Sequence, residues 1–437
     1  MNAIKTTFDK IVKIEEKNSL LSKTFLGIHY WELLRQGILL HNLKRNGTYG
    51  SVQKREREPT TVPRKVKRHK ISKNTAIFVH SSNRRVSKDG TFIDAYTHIL
   101  HEYFNDIVVR IEGTRIEDMY TNSIVLAGIF TPYVSYTLRI ILYMSIRLRQ
   151  RYKSLIILLD KEDLFFRGGY HNFIRNFSNY IINFSKTLIL ASFYRPKLAV
   201  FICSYGKESH IHAYKKLGIP TIELQHGIIT RFHAGYNYPL EPKNIFPDYF
   251  FLWGDGWHNN ISFPIKDDCI KIIGYYLQEI KPDKDELRSI DCCIISQPYF
   301  NDELVQYANN YQQANPSEVV FFRLHPNDFA DHLKYKSLLD SRITISNDGP
   351  INEILMASYK AVGVSSTSMF ECLIHKVEVY LLKIPGVEYM MDFVNRGIFA
   401  EIDLDQYSLN GACTNKASDD LFRKELSLIE EIQHFIE

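Results

Sequence analysis

Three short polar stretches close apolar runs in this chain, and each carries residue types that can hold a phosphate or move a proton. "FFRLHPND" sets Arg323, His325 and Pro326 behind one run, and "VGVSSTSMFECL" sets Ser365, Ser366 and Thr367 behind another. The serines lead straight into a helical pattern, so hydroxyls and free main-chain N–H groups gather at a helix start, which favours an anion. An imidazole whose backbone is fixed by a following proline can donate to phosphate oxygens or to a leaving nucleotide. "TIELQHGIIT" adds Gln225, His226 and Gly227 after a third run, where a polar side chain can meet a ligand and glycine allows close backbone approach. Any one of these stretches fits a capped turn beside a core histidine; their joint placement at strand ends singles them out.

Parallel strands must position them. "TAIFVHSS" (75–82), "DIVVRIEG" (106–113), "SLIILLDKED" (154–163) and "LAVFICSYG" (198–206) are short apolar runs ending in polar residues, with helical periodicity between them. A second series follows in "DCCIISQP" (291–298), "EVVFFRLHP" (318–326), "RITISNDGP" (342–350), "KAVGVSS" (360–366) and "EVYLLKIPG" (378–386). Near-continuous Val, Ile and Leu runs suit sheets covered on both faces. The expected class is α/β, with two Rossmann-like domains facing a cleft and a break within 262–290. The boundaries drawn are a helical segment and basic linker at 1–74, a first domain at 75–265, a second at 266–415 and a terminal helix at 416–437. Ligands of such sheets sit at the carboxyl ends of strands.

Composition agrees with a globular protein: 437 residues, 45% hydrophobic and 24% charged, enough for two or three domains. The net charge of +5 is too small to imply nucleic acid. Much of the excess lies in "KREREPTTVPRKVKRHK" (54–70), either a solvated linker or a patch for anionic lipid or acidic glycan. Cys203, Cys269, Cys292, Cys293, Cys372 and Cys413 lack metal-site spacing and read as reduced thiols. "MNAIKTTFDKIVKIEEKNSLL" is too charged for the core of a signal peptide. "SIVLAGIFTPYVSYTLRIILYMSIRLRQRYK" (123–153) is long and apolar, but Pro132 and Arg139 interrupt it, so a core or interfacial helix is expected rather than a transmembrane one. The expected location is the cytoplasm, or the inner face of a bacterial inner membrane.

The set "QHG" (225–227), "PDYFFLWGDGW" (247–257), "IIGYY" (272–276), "RLHP" (323–326) and "SSTSMFE" (365–371) resembles bacterial GT-B glycosyltransferases of surface polysaccharide assembly: sialyltransferases, capsule Kdo transferases and the glycerophosphate polymerases of teichoic acid synthesis. "HYWELLRQGILLHNL" (29–43) also resembles an N-terminal segment of capsule enzymes. The resemblance implies that His325 and Pro326 contact a nucleotide phosphate and that Ser365 and Ser366 cradle it, beside Thr367 and Arg323. Glu371 matches an acidic residue that holds a donor ribose or neighbouring backbone, and Ser296 and Gln297 would face the same donor pocket. The sequence departs from the sialyltransferases in one place: "RIEG" offers a single acidic residue, Glu112, before Gly113 where they carry two.

Glycosyl transfer needs a base, a means of stabilising the departing phosphate and a site that excludes water. His226 is the first candidate base, since an imidazole of ordinary pKa near ~6.5 accepts a proton at neutral pH. Glu112 is second, and Asp255 is third and better suited to a turn. Gln225, Gly227, Arg231 and His233 are candidate acceptor contacts. Tyr236, Tyr238, Trp253 and Trp257 offer faces for sugar rings or simply core. No DxD-like element or His/Asp ligand cluster stands out, and neither metal nor other cofactor is expected. The partners expected are a nucleotide-sugar donor, favoured as CMP-sialic acid or CMP-Kdo, and a glycan or lipid-linked glycan acceptor. Alternatives are a CDP-polyol phosphotransferase, a nucleotide-sugar 2-epimerase and a non-catalytic glycan-assembly subunit.

Overall fold

A computed structural model of the chain describes residues 3–46, 76–80, 85–88, 91–94, 96–112, 123–126, 132–239, 243–258, 261–276, 288–325, 328–329, 332–347, 351–409 and 419–437. The basic stretch 54–70, Pro326 and Cys413 lie outside them. The chain divides into two compact units. The first comprises Lys5–Asn42, Glu56–Leu277 and Arg423–Glu437, and the second comprises Gln278–Phe422 with Met1–Ile4 and Leu43–Arg55.

The first unit begins with helices α1 (Ala3–Asn18) and α2 (Glu32–Arg45). It continues through β1 (Ile77–His80), an antiparallel hairpin of β2 (Arg85–Lys88) and β3 (Thr91–Asp94), α3 (His98–Phe104), β4 (Val108–Glu112) and β5 (Ser123–Val125). Helices α4 (Pro132–Met144), α5 (Ile146–Lys161) and α6 (Gly169–Tyr194) precede β6 (Leu198–Phe201), α7 (Glu208–Lys216), β7 (Thr221–Leu224), β8 (Tyr249–Leu252) and β9 (Ile270–Ile272). The seven-stranded parallel sheet has the order β5-β4-β1-β6-β7-β8-β9.

Both faces of that sheet are covered, which is why its strands read as unbroken apolar runs. Alternate residues supply two cores. Ile77, Val79, Leu198, Val200, Ile222 and Leu224 pack on one side, and Phe78, Val109, Ile111, Ala199 and Phe201 on the other, with Leu190 of α6 and Ile211 and Tyr214 of α7.

The second unit contains β10 (Ile290–Ile295), α8 (Asn301–Ala314), β11 (Val320–Arg323), α9 (His332–Leu338), β12 (Thr344–Ser346), α10 (Ile351–Met356) and β13 (Ser358–Gly363). It ends with α11 (Ser368–Ile374), β14 (Glu378–Leu382), α12 (Met391–Asn395), β15 (Ala400–Ile402) and α13 (Asp419–Phe422). Its parallel sheet runs β12-β11-β10-β13-β14-β15. Read by chain order, each sheet starts near its middle, adds two strands to one side and then crosses to the other, the doubly wound Rossmann order. The α/β class and the two Rossmann-like sheets are therefore a property of the structure. Gly386, at φ 110°, has a ring carbon of Phe300 2.3 Å from where a Cβ would stand, so only glycine fits that loop. The last helix, α14 (Leu428–Ile436), belongs to the first unit, where Leu428 and Ile432 enter the core.

Several expectations are corrected. The segment 154–163 is not a strand: it lies in α5, capped by Ser145 Oγ accepting from Leu148 N at 3.3 Å, with Leu148, Leu155 and Leu159 buried at helical spacing. A short apolar run does not distinguish strand from buried helix, and the charged residues before it extend the element beyond strand length. The stretch 123–153 divides into β5, α4 and the start of α5, and among the described residues no helix is long and apolar enough to cross a membrane. The division between units falls at 277/278 rather than 265/266, because β9 completes the first sheet. Residues 5–42 and 423–437, drawn as separate terminal segments, are integral to the first unit.

Candidate functional site

In the second sheet the strand order reverses between β10 and β13, the place where doubly wound sheets take ligands at the carboxyl ends of their strands. Ser296 and Gln297 leave β10 while Ser365 and Ser366 leave β13, and they meet across that reversal. Gln297 Nε2 donates to Ser365 Oγ at 3.1 Å, and Gln297 Oε1 accepts from Ser365 N at 3.1 Å. Ser296 is buried, and its Oγ accepts from His325 N at 2.7 Å while its own N donates to Arg323 O at 2.9 Å. Three strand ends are thereby tied side by side by polar bonds.

The Arg323 guanidinium is buried, donates to Ser346 Oγ at 2.7 Å at the end of β12 and lies 5.0 Å from the Phe329 ring centroid. Ser365, Ser366 and Thr367 are half-buried, and Ser366 Oγ accepts from Ser368 N at 3.3 Å as the chain turns into α11. His325 is half-buried on the adjoining loop. The structure thus assembles Ser296, Gln297, Arg323, His325, Ser365, Ser366 and Thr367 along one carboxyl edge. Glu371 sits further into α11 and is 3% exposed, among the core rather than at the edge.

In the first unit, β7 delivers His226, half-buried, to the carboxyl edge of its sheet. Gln225 is fully buried: its Nε2 donates to Gly227 O at 3.0 Å, and its Oε1 accepts from Trp253 N at 2.8 Å. Its main-chain oxygen accepts from Tyr276 Oη at 2.9 Å. Gln225 therefore fixes the turn instead of reaching a ligand. Tyr96 Oη donates to His226 O at 2.8 Å, Tyr236 Oη lies 3.4 Å from His226 Nδ1, and Tyr205 Oη lies 3.5 Å from Nε2.

Behind this imidazole stands a group that sequence reasoning missed. Glu223, inside the buried strand β7, accepts from Tyr236 Oη at 2.5 Å, and burial pushes its carboxyl up to about 7. Its one sequence signal is a carboxylate in the middle of an apolar strand. A second missed residue is Arg35 of α2, fully buried, whose Nε and Nη2 donate to the two Glu15 oxygens at 2.5 and 3.0 Å. Its Nη1 donates to the carbonyls of Ala234 and Asn237, at 2.7 Å each. Helices α1 and α2 thus clamp the loop that carries His233 and Tyr236.

His233 accepts from Gly235 N at 3.2 Å through Nδ1, and burial lowers its pKa to about 3, so it is neutral at physiological pH. A Cβ on Gly235 would stand 2.7 Å from the Tyr205 ring, so glycine lets this loop close on the tyrosine. Arg231 is exposed, its guanidinium 5.2 Å from the Phe232 centroid. Glu112 is the last residue of β4 at the same sheet edge, and Asp255 is exposed in a turn between the buried Trp253 and Trp257. Tyr236, Tyr238, Trp253 and Trp257 are each 3% exposed or less, so they form core and present no face to a sugar. Among the described residues no group of three or more His, Cys, Asp and Glu is placed to hold a metal ion.

No family model and no curated protein matches the chain. Solved structures resemble it in chain path. The glycosyltransferase VinC, in complex with DTDP, is 10% identical over 83% of this chain and 98% of its own, at a TM-score of 0.49. The calicheamicin glycosyltransferase CalG4 is 10% identical over 83% and 92%, at 0.41. The UDP-GlcNAc 2-epimerase of Methanocaldococcus jannaschii, with UDP-GlcNAc and UDP, is 14% identical over 62% and 81%, at 0.37. At these values the likeness is distant and says nothing of what this chain binds.

Proposed function

We propose that the chain is a glycosyltransferase of the GT-B type that moves a sugar from a nucleotide-activated donor to a surface or lipid-linked glycan, with inversion and without a metal. The observation that carries this reading is the reciprocal Gln297–Ser365 pair at the strand-order reversal of the second sheet. It joins the polar groups of two strand ends at the place where doubly wound sheets take a nucleotide. Donor phosphate would lie against the Ser365, Ser366 and Thr367 loop and its main-chain N–H groups, with Arg323 and His325 supplying positive charge and donors. CMP-sialic acid or CMP-Kdo is the donor favoured by the resemblance of the "RLHP" and "SSTSMFE" motifs.

His226 is the proposed base. When Glu223 is ionised, Tyr236 donates its proton to that carboxylate and its oxygen accepts from His226 Nδ1–H, which leaves the lone pair on Nε2. Nε2 then takes the proton of the acceptor hydroxyl as its oxygen bonds to the anomeric carbon, and the electron pair of the broken bond leaves with the donor phosphate.

The test is incubation with CMP-, CDP- and UDP-linked donors, with and without a chelator. Release of the nucleotide from a CMP-sugar, undiminished by chelation, supports the reading. Nucleotide binding without turnover of any donor contradicts it in favour of a binding subunit, and interconversion of a UDP-sugar with its epimer contradicts it in favour of an epimerase.

A further inference from the structure

In the first unit a cavity of about 550 Å³ lies between the turn that follows α1 and the amino-terminal half of α5. Lys23, Arg147 and Arg151 give it positive charge, while Phe25, Leu26 and Leu158 give it apolar wall. Leu26 stands in the left-handed region, at φ 53°, and is 72% exposed. A non-glycine residue held there presents its apolar side chain outward against a conformational cost.

Arg147 of that lining follows directly in the chain on an exposed apolar row. Tyr136, Ile140, Ile141 and Met144 of α4 and Ile146 at the start of α5 are 47–74% exposed. From Pro132 to Lys153 the chain carries Arg139, Arg147, Arg149, Arg151 and Lys153 and no carboxylate.

We propose that this hollow is the head-group site of an anionic phospholipid, and that α4 lies in the surface of the bilayer that supplies it. A bilayer fits better than a second protein chain because it presents anionic phosphate directly above an acyl layer, the two chemistries that the cationic hollow and the apolar row require side by side. None of the residues that line it is among those assigned to donor binding or proton transfer.

The test is sedimentation of the full chain with vesicles of phosphatidylcholine alone and of phosphatidylcholine with phosphatidylglycerol. The full chain should sediment with the second only, and added salt should release it. R147E and K23E should each weaken binding by at least about fivefold, the loss associated with one surface charge. I141S/M144S, at exposed positions, should release the protein while leaving its thermal midpoint and its donor hydrolysis unchanged. Equal binding to both vesicles, or full binding by I141S/M144S, overturns the proposal. Complete release by inorganic phosphate at low ionic strength overturns it in favour of a free anion, and a dimer in solution that I141S/M144S dissolves overturns it in favour of a second copy.

Discussion

The carboxyl edges of the two sheets are built in opposite ways. At the edge of the second sheet the polar groups hold one another: Gln297 grips Ser365, Ser296 grips His325, and Arg323 grips Ser346, all at strand ends or directly after them. At the edge of the first sheet, His226 is held from outside. Tyr96, Tyr205 and Tyr236 surround it, Glu223 stands behind, and Arg35 fixes the loop from helices far away in sequence. Polar groups that bond one another across adjacent turns form a local motif, whereas an oriented imidazole depends on distant packing. Perturbation should therefore act differently on the two.

The largest effect is expected at His226. His226→Ala should lower kcat by about 10²–10⁴-fold, the range for loss of a general base, with the donor KM little changed. Parallel loss of donor binding would show that the two edges do not divide the work as described. Arg35→Ala leaves the buried Glu15 carboxylate without its guanidinium partner, with Trp31 Nε1 still donating to it, and should cost about 3–5 kcal/mol of stability, visible in denaturant unfolding. A loss below about 1 kcal/mol, the level of an exposed pair, would mean that the clamp is dispensable.

Gln297→Ala should cost less, about 1–3 kcal/mol, by stranding the Ser365 amide, and should raise the donor KM without changing the pH profile. Ser366→Ala removes one hydroxyl donor and should weaken nucleotide affinity by about 1 kcal/mol, roughly fivefold, by calorimetry.

How much of this was legible follows the same contrast. The strands of the second unit were readable because doubly wound sheets are covered on both faces, so "CCIISQ", "FFRLH" and "VGVSS" announce both a strand and the strand end where the proposed site lies. The first unit was read less well. The run 154–163 reads as a strand because periodicity is ambiguous over so few residues, and β8 and β9 read as motif or linker. Glu223 was hidden because a carboxylate in a buried strand shows its purpose only through Tyr236, 13 positions on. Arg35 was hidden because its partners lie about 200 residues away, at Ala234 and Asn237.

Glu223 gives the smallest and most selective effect. Its carboxyl keeps its proton in the folded chain from its ordinary 4.5 up to about 7, whereas the unfolded chain loses it earlier. The unfolded state thus binds fewer protons in that window, and this group's contribution to stability declines as pH rises through it. Glu223→Gln should flatten that decline in a series of thermal melts. It should also remove a rise in rate near pH 7, since an amide can accept from Tyr236 but does not ionise and so cannot change its hold on that proton with pH.

The central claim is that the second sheet's reversal edge holds a nucleotide phosphate by itself. Hydrogen–deuterium exchange of the full chain with and without CMP, CDP and UDP tests it most directly. Slowed exchange at residues 296–298 and 364–368 with one of these nucleotides, lost in Ser366→Ala, is the predicted result. Binding of all three with no change at either segment would contradict it.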